Sequence, residues 1–226
     1  TTMDQFASNG NQLIIGGLPI SRLAEQIGQT PFYAYDRDLL RSRVAELRAA
    51  LPNDIELHFA MKANPMPAVV GFMASLVDGI DVASGGELKI ALDAGISPRD
   101  ISFAGPGKRN SELRQAVAAG VLINIESFRE VDMLADIALA LKLPARVAVR
   151  VNPDFELKGS GMRMGGGPKQ FGVDSELIPE LLARIGEKKL AFEGFHLFAG
   201  SQNLNAASIC EGQRNSYDLA LALSLH

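Results

Sequence analysis

The chain of 226 residues contains one cysteine and three histidines. A single cysteine, Cys210, excludes an internal disulfide framework and suits a reducing compartment, so a cytoplasmic protein is expected, with Cys210 an inert, partly buried thiol. Three scattered histidines and one cysteine give no metal-ligand spacing, which argues against a metal centre. No run approaches the roughly 20 apolar residues of a membrane span. The opening Thr1-Thr2-Met3-Asp4 lacks the basic and apolar regions of a signal peptide. Positive charge is also short: 22 Lys and Arg against 26 Asp and Glu give a net charge of −4, which speaks against a general nucleic-acid binder. Neither a G-x-x-x-x-G-K-[ST] loop nor a G-x-S-x-G elbow after a strand occurs, and no short repeat points to a solenoid. What remains is an ordinary globular composition, 47% hydrophobic and 21% charged, in a chain long enough for one large domain or two small ones.

Short apolar runs alternate with longer amphipathic ones. Candidate strands are Ile55–Ala60, Gly79–Ala83, Ile101–Ala104, Val121–Ile125, Arg146–Val151 and Leu190–Phe198. Their alternation with helical patterns implies βαβ units around a parallel sheet whose strands, covered by helices, read as near-continuous apolar runs. Leu40, Val44, Leu47 and Leu51 share one helical face, with Asp36 as its N-cap and Pro52 as its end. Asn110 is expected to cap Ser111–Ala119, and Ser127 with Glu130 has capping-box spacing. Residues 1–34 break the rhythm. Leu13–Ile15 and Phe32–Tyr35 look like strands around a short helix near Ser21–Ile27, a segment expected to contribute to a separate β domain, with the α/β unit running from 35 to 226. Six strand–helix units fall short of the eight of a closed barrel. The chain is then either a piece of a longer protein or an open doubly wound sheet, and the missing glycine-rich fingerprint after the first strand favours the piece.

Lys62 stands in Phe59-Ala60-Met61-Lys62-Ala63-Asn64-Pro65, at the carboxyl end of the first of these strands. That is where α/β barrels keep their chemistry, and an amine there can condense with an aldehyde to a Schiff base. A solvated loop lysine is the plainer alternative. Asp81 lies near the end of the second strand. Glu87, in Ser84-Gly85-Gly86-Glu87, has the spacing of a helix cap as well as of a site residue. Gly85-Gly86 either lets backbone approach a ligand or makes a tight turn. Arg150 ends the fifth strand and, buried, must face a carboxylate, a cofactor oxygen or water. His58 is expected to pack in the lower barrel. The loop Lys158–Gly167, with five glycines, has the length of a lid over the barrel mouth.

Seven pieces in fixed order carry a resemblance: Phe59-Ala60-Met61-Lys62-Ala63-Asn64, Asp81-Val82-Ala83-Ser84-Gly85-Gly86-Glu87-Leu88, Phe103-Ala104-Gly105-Pro106-Gly107-Lys108, Asn124-Ile125-Glu126-Ser127, Arg150-Val151-Asn152-Pro153, Gln170-Phe171-Gly172 and Gly200-Ser201-Gln202. The chain resembles the fold-type III pyridoxal-phosphate-dependent decarboxylases, the diaminopimelate, ornithine and arginine decarboxylase group. The tract from Asn152 to Met162 looks nearest to the decarboxylases associated with the exosortase A system. The resemblance implies a (β/α)8 TIM barrel of the alanine racemase/decarboxylase type, present here as about six of eight units, plus N-terminal strands of a second β domain.

It also implies roles. Lys62 would be the lysine that holds pyridoxal 5'-phosphate as a Schiff base, helped by partial desolvation in the barrel mouth. Asp81, Glu87 and Arg150 would lie around the cofactor, Arg150 towards its phenolic oxygen, and Ser201 would bind its phosphate. Relatives place a histidine three residues before that serine, stacked on the pyridine ring. This chain has Phe198 there, and His196, two residues earlier, reads as a satisfied core histidine. The implied activity is removal of the α-carboxylate of an amino acid by a homodimer whose remaining site residues lie beyond His226. An amino-acid racemase and a non-catalytic cofactor carrier are the alternatives.

Overall fold

The computed structural model describes residues 5–155, 162–163 and 170–225, with Met162 and Arg163 given by their backbone alone. Three short strands open the chain: β1 (Ala7–Asn9), β2 (Gln12–Ile15) and β3 (Leu18–Pro19), an antiparallel meander forming a sheet of its own. Helix α1 (Ile20–Ile27) follows. The expected strand at Phe32–Tyr35 is absent. No described strand pairs with it, and Tyr33 is 90% exposed, so neither a ladder nor burial holds an extended segment there.

Helix α2 (Arg37–Ala50) begins where the sequence places its cap. Asp36 Oδ1 accepts from the backbone N–H groups of Asp38 and Leu39, while Oδ2 accepts from Gly16, so one carboxylate starts the helix and ties the meander to it. The remaining elements alternate: β4 (His58–Ala60), α3 (Pro67–Ala74), β5 (Gly79–Val82), α4 (Gly85–Asp93), β6 (Ile101–Phe103), α5 (Asn110–Ala119), β7 (Leu122–Ile125), α6 (Phe128–Leu141) and β8 (Arg146–Asn152). Two-residue strands β9 (Met162–Arg163) and β10 (Val173–Asp174) precede α7 (Ile178–Glu187), β11 (Ala191–Leu197), β12 (Gly200–Ser201) and α8 (Ala206–Leu223). Helix α5 starts one residue before its expected range, and Asn110 is not its cap. The carboxylate of Glu112 closes the turn instead, accepting from the N–H of Arg109 with one oxygen and of Gly85 with the other.

β4, β5, β6, β7, β8 and β11 pair in that order, all parallel, and β10 adds a short pairing to the end of β8. The strands are not apolar on both faces. Ile80 and Val82, Ile101 and Phe103, Ile123 and Ile125, and Val147, Val149 and Val151 pack with Leu88, Leu113 and Leu134 of the helices in one core. The period of two then turns Asp81, Ser102, Asn124, Arg150 and His196 to the opposite, inner face. That inner face decides the curvature. Edge strands of a flat six-stranded sheet lie roughly 24 Å apart at about 4.8 Å per strand. Yet Lys62, just past β4, reaches Phe198, just past β11, which excludes the open sheet and gives a barrel-like trough. Among the described residues no helix is long and apolar enough to cross a membrane, and no acidic, histidine and cysteine groups gather for a metal.

Cys210 is exposed, contrary to expectation. It sits two positions from Gly212, a buried residue of α8, and two residues turn a helix through about 200°, so the thiol falls on the outer face.

Candidate active site

Lys62, Asp81, Arg150 and Phe198 lie at or just past the carboxyl ends of parallel strands, while Glu87 lies in α4 and Ser201 in the antiparallel β12. Lys62 lies in the single 3₁₀ turn Met61–Ala63 after β4, anchored by the fully buried Met61 side chain. Lys62 as a whole is an exposed residue. Lys62 Nζ stands 5.5 Å from the centroid of the Phe198 ring. The Arg150 guanidinium is 5.8 Å from that ring and 4.8 Å from that of Phe171. Two cations thus converge on one phenyl ring at the mouth.

Arg150 is buried and pays for that burial with a partner. Its Nη1 donates to both oxygens of Glu126, at 3.2 and 3.3 Å. Glu126 is a hub, since the same carboxylate also accepts from the backbone N–H of Gly105 and of Gly172. Gly172 has φ +75°, and a Cβ there would stand 2.8 Å from the Arg150 carbonyl oxygen, so this close crossing of β8 needs glycine. Behind the hub, Lys108 donates to the Glu130 carboxylate at 2.9 Å and to the Gly105 carbonyl, and Glu130 accepts from the N–H of Glu126. Burial pushes the Glu130 carboxyl up from its ordinary range, against the attraction of Lys108. The loops after β6, β7 and β8 are therefore bound together by two buried ion pairs. From sequence alone Glu126 and Lys108 carry no chemical role and Glu130 only its capping spacing. A signal for part of the network is present: Lys108 and Glu126 are charged residues that stand within the motif pieces.

Asp81 faces the lumen, in register with Ala60 and two residues below Lys62. Its Oδ1 lies 3.1 Å from His58 Nδ1, so His58 is a hydrogen-bonding partner rather than packing. Ser102 and Asn124 continue the polar inner face, joined at 2.7 Å. Glu87 takes the capping role its spacing allows: its carboxylate accepts from the N–H of Ala83 at 2.7 Å, and Ser84 Oγ accepts from Glu87. Gly85 permits close packing rather than an unusual turn, because a Cβ there would meet the Glu112 side chain at 3.0 Å.

His196 pairs in register with Arg150 and points inward. It is not the satisfied core histidine expected, for its buried Nδ1 has no partner among the described residues. Desolvation first, then the Arg150 charge, lowers its pKa to about 4, so the ring is neutral. The other charges acting on it are Asp81, Glu126 and Lys62, which places it beneath the mouth among the candidate residues. Ser201 lies in β12, paired antiparallel to β9, and lines a cleft of about 410 Å³ with Phe198, Gln202, Asn203, Gln213 and Ser216. The expected lid at Lys158–Gly167 falls outside the described residues, apart from the backbone of β9.

Comparison with known proteins gives a consistent result. Residues 37–223 match the family described as pyridoxal-dependent decarboxylase, pyridoxal binding domain. An L-glutamyl-[BtrI acyl-carrier protein] decarboxylase of Niallia circulans is 36% identical over 193 residues, covering 84% of this chain and 45% of the relative. A diaminopimelate decarboxylase of Aquifex aeolicus is 39% identical over 201 residues, covering 86% and 46%. Among solved structures, the diaminopimelate decarboxylase of M. jannaschii in co-complex with L-lysine superposes with a TM-score of 0.85 at 27% identity, over 98% of this chain and 54% of that one. The Helicobacter pylori diaminopimelate decarboxylase complexed with L-lysine gives 0.81 at 31% identity, over 91% and 53%. The chain spans about half the length of these relatives.

Proposed function

We propose, from the premise that this chain belongs to the pyridoxal-dependent decarboxylases, that it is the cofactor-holding half of an enzyme that removes the α-carboxylate of an amino acid. The observation that carries this reading is the Lys62 amine set over the Phe198 ring at the end of the barrel strands.

The groups present fit a flat, aldehyde-bearing, phosphorylated ring. Lys62 offers the amine, Phe198 an apolar face, Arg150 a fixed cation and Ser201 a hydroxyl beside a glycine amide. When bound, pyridoxal 5'-phosphate supplies an aldehyde for the amine and a ring that draws off the electrons released with the carboxylate. The chain's residues do the rest. Glu126 holds Arg150 in one orientation, so the cation cannot fold back onto the surface. Phe198 fixes the plane of the ring and excludes water from one face. Ser201 and neighbouring backbone N–H groups hold the phosphate. Asp81 sets a carboxylate beneath Lys62, on the inner face of β5. His196, neutral in the lumen, adds no charge there. Glu87 keeps the turn after β5 closed and acts on the site through it.

The substrate is an amino acid of the diaminopimelate class or a relative of it. The remaining half of the protein and a second copy of the chain, in a cytoplasmic homodimer, complete the site. Full-length protein loaded with pyridoxal phosphate and incubated with candidate amino acids should release trapped carbon dioxide and the corresponding amine. Return of the mirror-image amino acid without carbon dioxide would make it a racemase, and no turnover of any amino acid a carrier.

A further inference from the structure

We propose that His58 is a positioning residue whose imidazole holds the Asp81 carboxylate at the foot of Lys62. The proposal rests on the reading of Asp81 as a cofactor-facing group.

Three observations carry it. The first is the bond itself: Asp81 Oδ1 lies 3.1 Å from His58 Nδ1. An ionised carboxylate only accepts hydrogen bonds, so Nδ1 carries the proton and donates, which fixes the tautomer whenever the ring is neutral. The second is the space made for the ring. A Cβ built on Gly79, the register partner of His58 on β5, would lie 2.5 Å from both Cε1 and Nε2 of His58 and 2.5 Å from the Asp100 carbonyl oxygen. The imidazole therefore rests on a bare stretch of β5 backbone that any side chain would fill. The third is position. His58 and Ala60 share the inner face of β4, Gly79 and Asp81 that of β5, and Lys62 follows two residues after Ala60.

Three carboxylates act on His58. Asp81 faces it from β5, Glu56 approaches Nε2 at 3.8 Å from its own strand entry, and Asp78 acts from the turn before β5, where it is itself held by Arg48 and by the N–H of Leu57. The hydrogen bond to Asp81 is the largest influence and raises the His58 pKa above its ordinary value, opposed by partial burial. The protonated form strengthens the same contact, so the clamp holds in both states of the ring.

The test uses full-length protein in two forms. Without cofactor, the imidazole carbon and nitrogen resonances of labelled histidine give the His58 titration midpoint, assigned by its loss in His58→Asn. Asp81→Asn and Gly79→Ala should each lower that midpoint, the first by removing the acceptor and the second by displacing the ring. With cofactor, the dissociation constant of pyridoxal phosphate should rise about three- to tenfold in His58→Leu and in Gly79→Ala, the scale of one lost hydrogen bond. The double variant should be no worse than either single one. His58→Asn, whose amide nitrogen can occupy the place of Nδ1, should restore affinity. A midpoint indifferent to Asp81→Asn, or a His58→Asn as impaired as His58→Leu, overturns the proposal. If Asp81→Asn lowers the midpoint but leaves cofactor affinity untouched, the pair stands and the reading of Asp81 is the part overturned.

Discussion

Lys62 and Phe198 meet across the mouth of the trough, Nζ to ring centroid 5.5 Å, although 136 residues and five strand pairings separate them. The amine lies over the negative face of the phenyl ring, a weak hold worth roughly 0.5–1 kcal/mol at an exposed site. A planar group arriving on that face therefore displaces little, and it finds the amine at its edge.

Replacing Lys62 by Ala should abolish covalent retention of pyridoxal phosphate and its visible absorption band. Lys62→Arg keeps the charge over Phe198 but cannot give up its proton, and should fail in the same way. Borohydride treatment followed by peptide mass analysis checks both. A cofactor still trapped on another residue in Lys62→Ala would show that the wrong lysine has been assigned.

Phe198→Leu should weaken cofactor binding by about 0.5–1.5 kcal/mol, the worth of aromatic stacking beyond area burial. Phe198→His should bind nearly as well as the parent, since imidazole is also flat. Fluorescence titration measures both. A liganded structure with His196 on the ring face and Phe198 turned away would reverse the two assignments.

His196 should make the fold acid-sensitive. The ring is neutral when folded, with a pKa of about 4, but takes a proton when unfolded at an ordinary value of 6.5. The unfolded chain then binds more protons between those values, so this contribution is complete above pH 6.5 and is lost as pH falls towards 4. Its full size is about 3 kcal/mol. Urea titrations at pH 7 and pH 4.5 should show His196→Gln losing less stability than the parent over that interval. Equal losses would mean that the imidazole is solvated in the native protein.

Lys108→Met should destabilise the fold by about 3–5 kcal/mol, because it leaves the Glu130 carboxylate buried without its cation. Adding Glu130→Leu should recover part of the loss. The recovery is incomplete because Glu130 also accepts from the N–H of Glu126. Denaturant midpoints at constant slope would report both effects, and a near-neutral Lys108→Met would contradict a desolvated pair.

Much of this was legible in the linear sequence because it is local. The six strand–helix units follow from hydrophobic period, the start of α2 from Asp36, and the place of Lys62 from the strand before it. The departures are equally physical. Phe32–Tyr35 has the composition of a strand but no neighbour to pair with among the described residues, and strands exist only in pairs. Residue type alone suggests a partly buried Cys210, whereas its exposure depends on which side of α8 meets the sheet. His196 reads as satisfied from sequence because buried polar atoms usually are, yet its Nδ1 has no partner among the described residues.

What the sequence by itself determined is the order of the strand–helix units, with their bounds to within a few residues, and which side chains alternate along each strand, since both depend on near neighbours in the chain. Only the tertiary structure decided who meets whom on that face: Glu126 with Arg150, Asp81 with His58, Lys62 with Phe198. Each of these pairs joins different strands, and which strand ends come together depends on the order and curvature of the whole sheet, a property of no single stretch of chain.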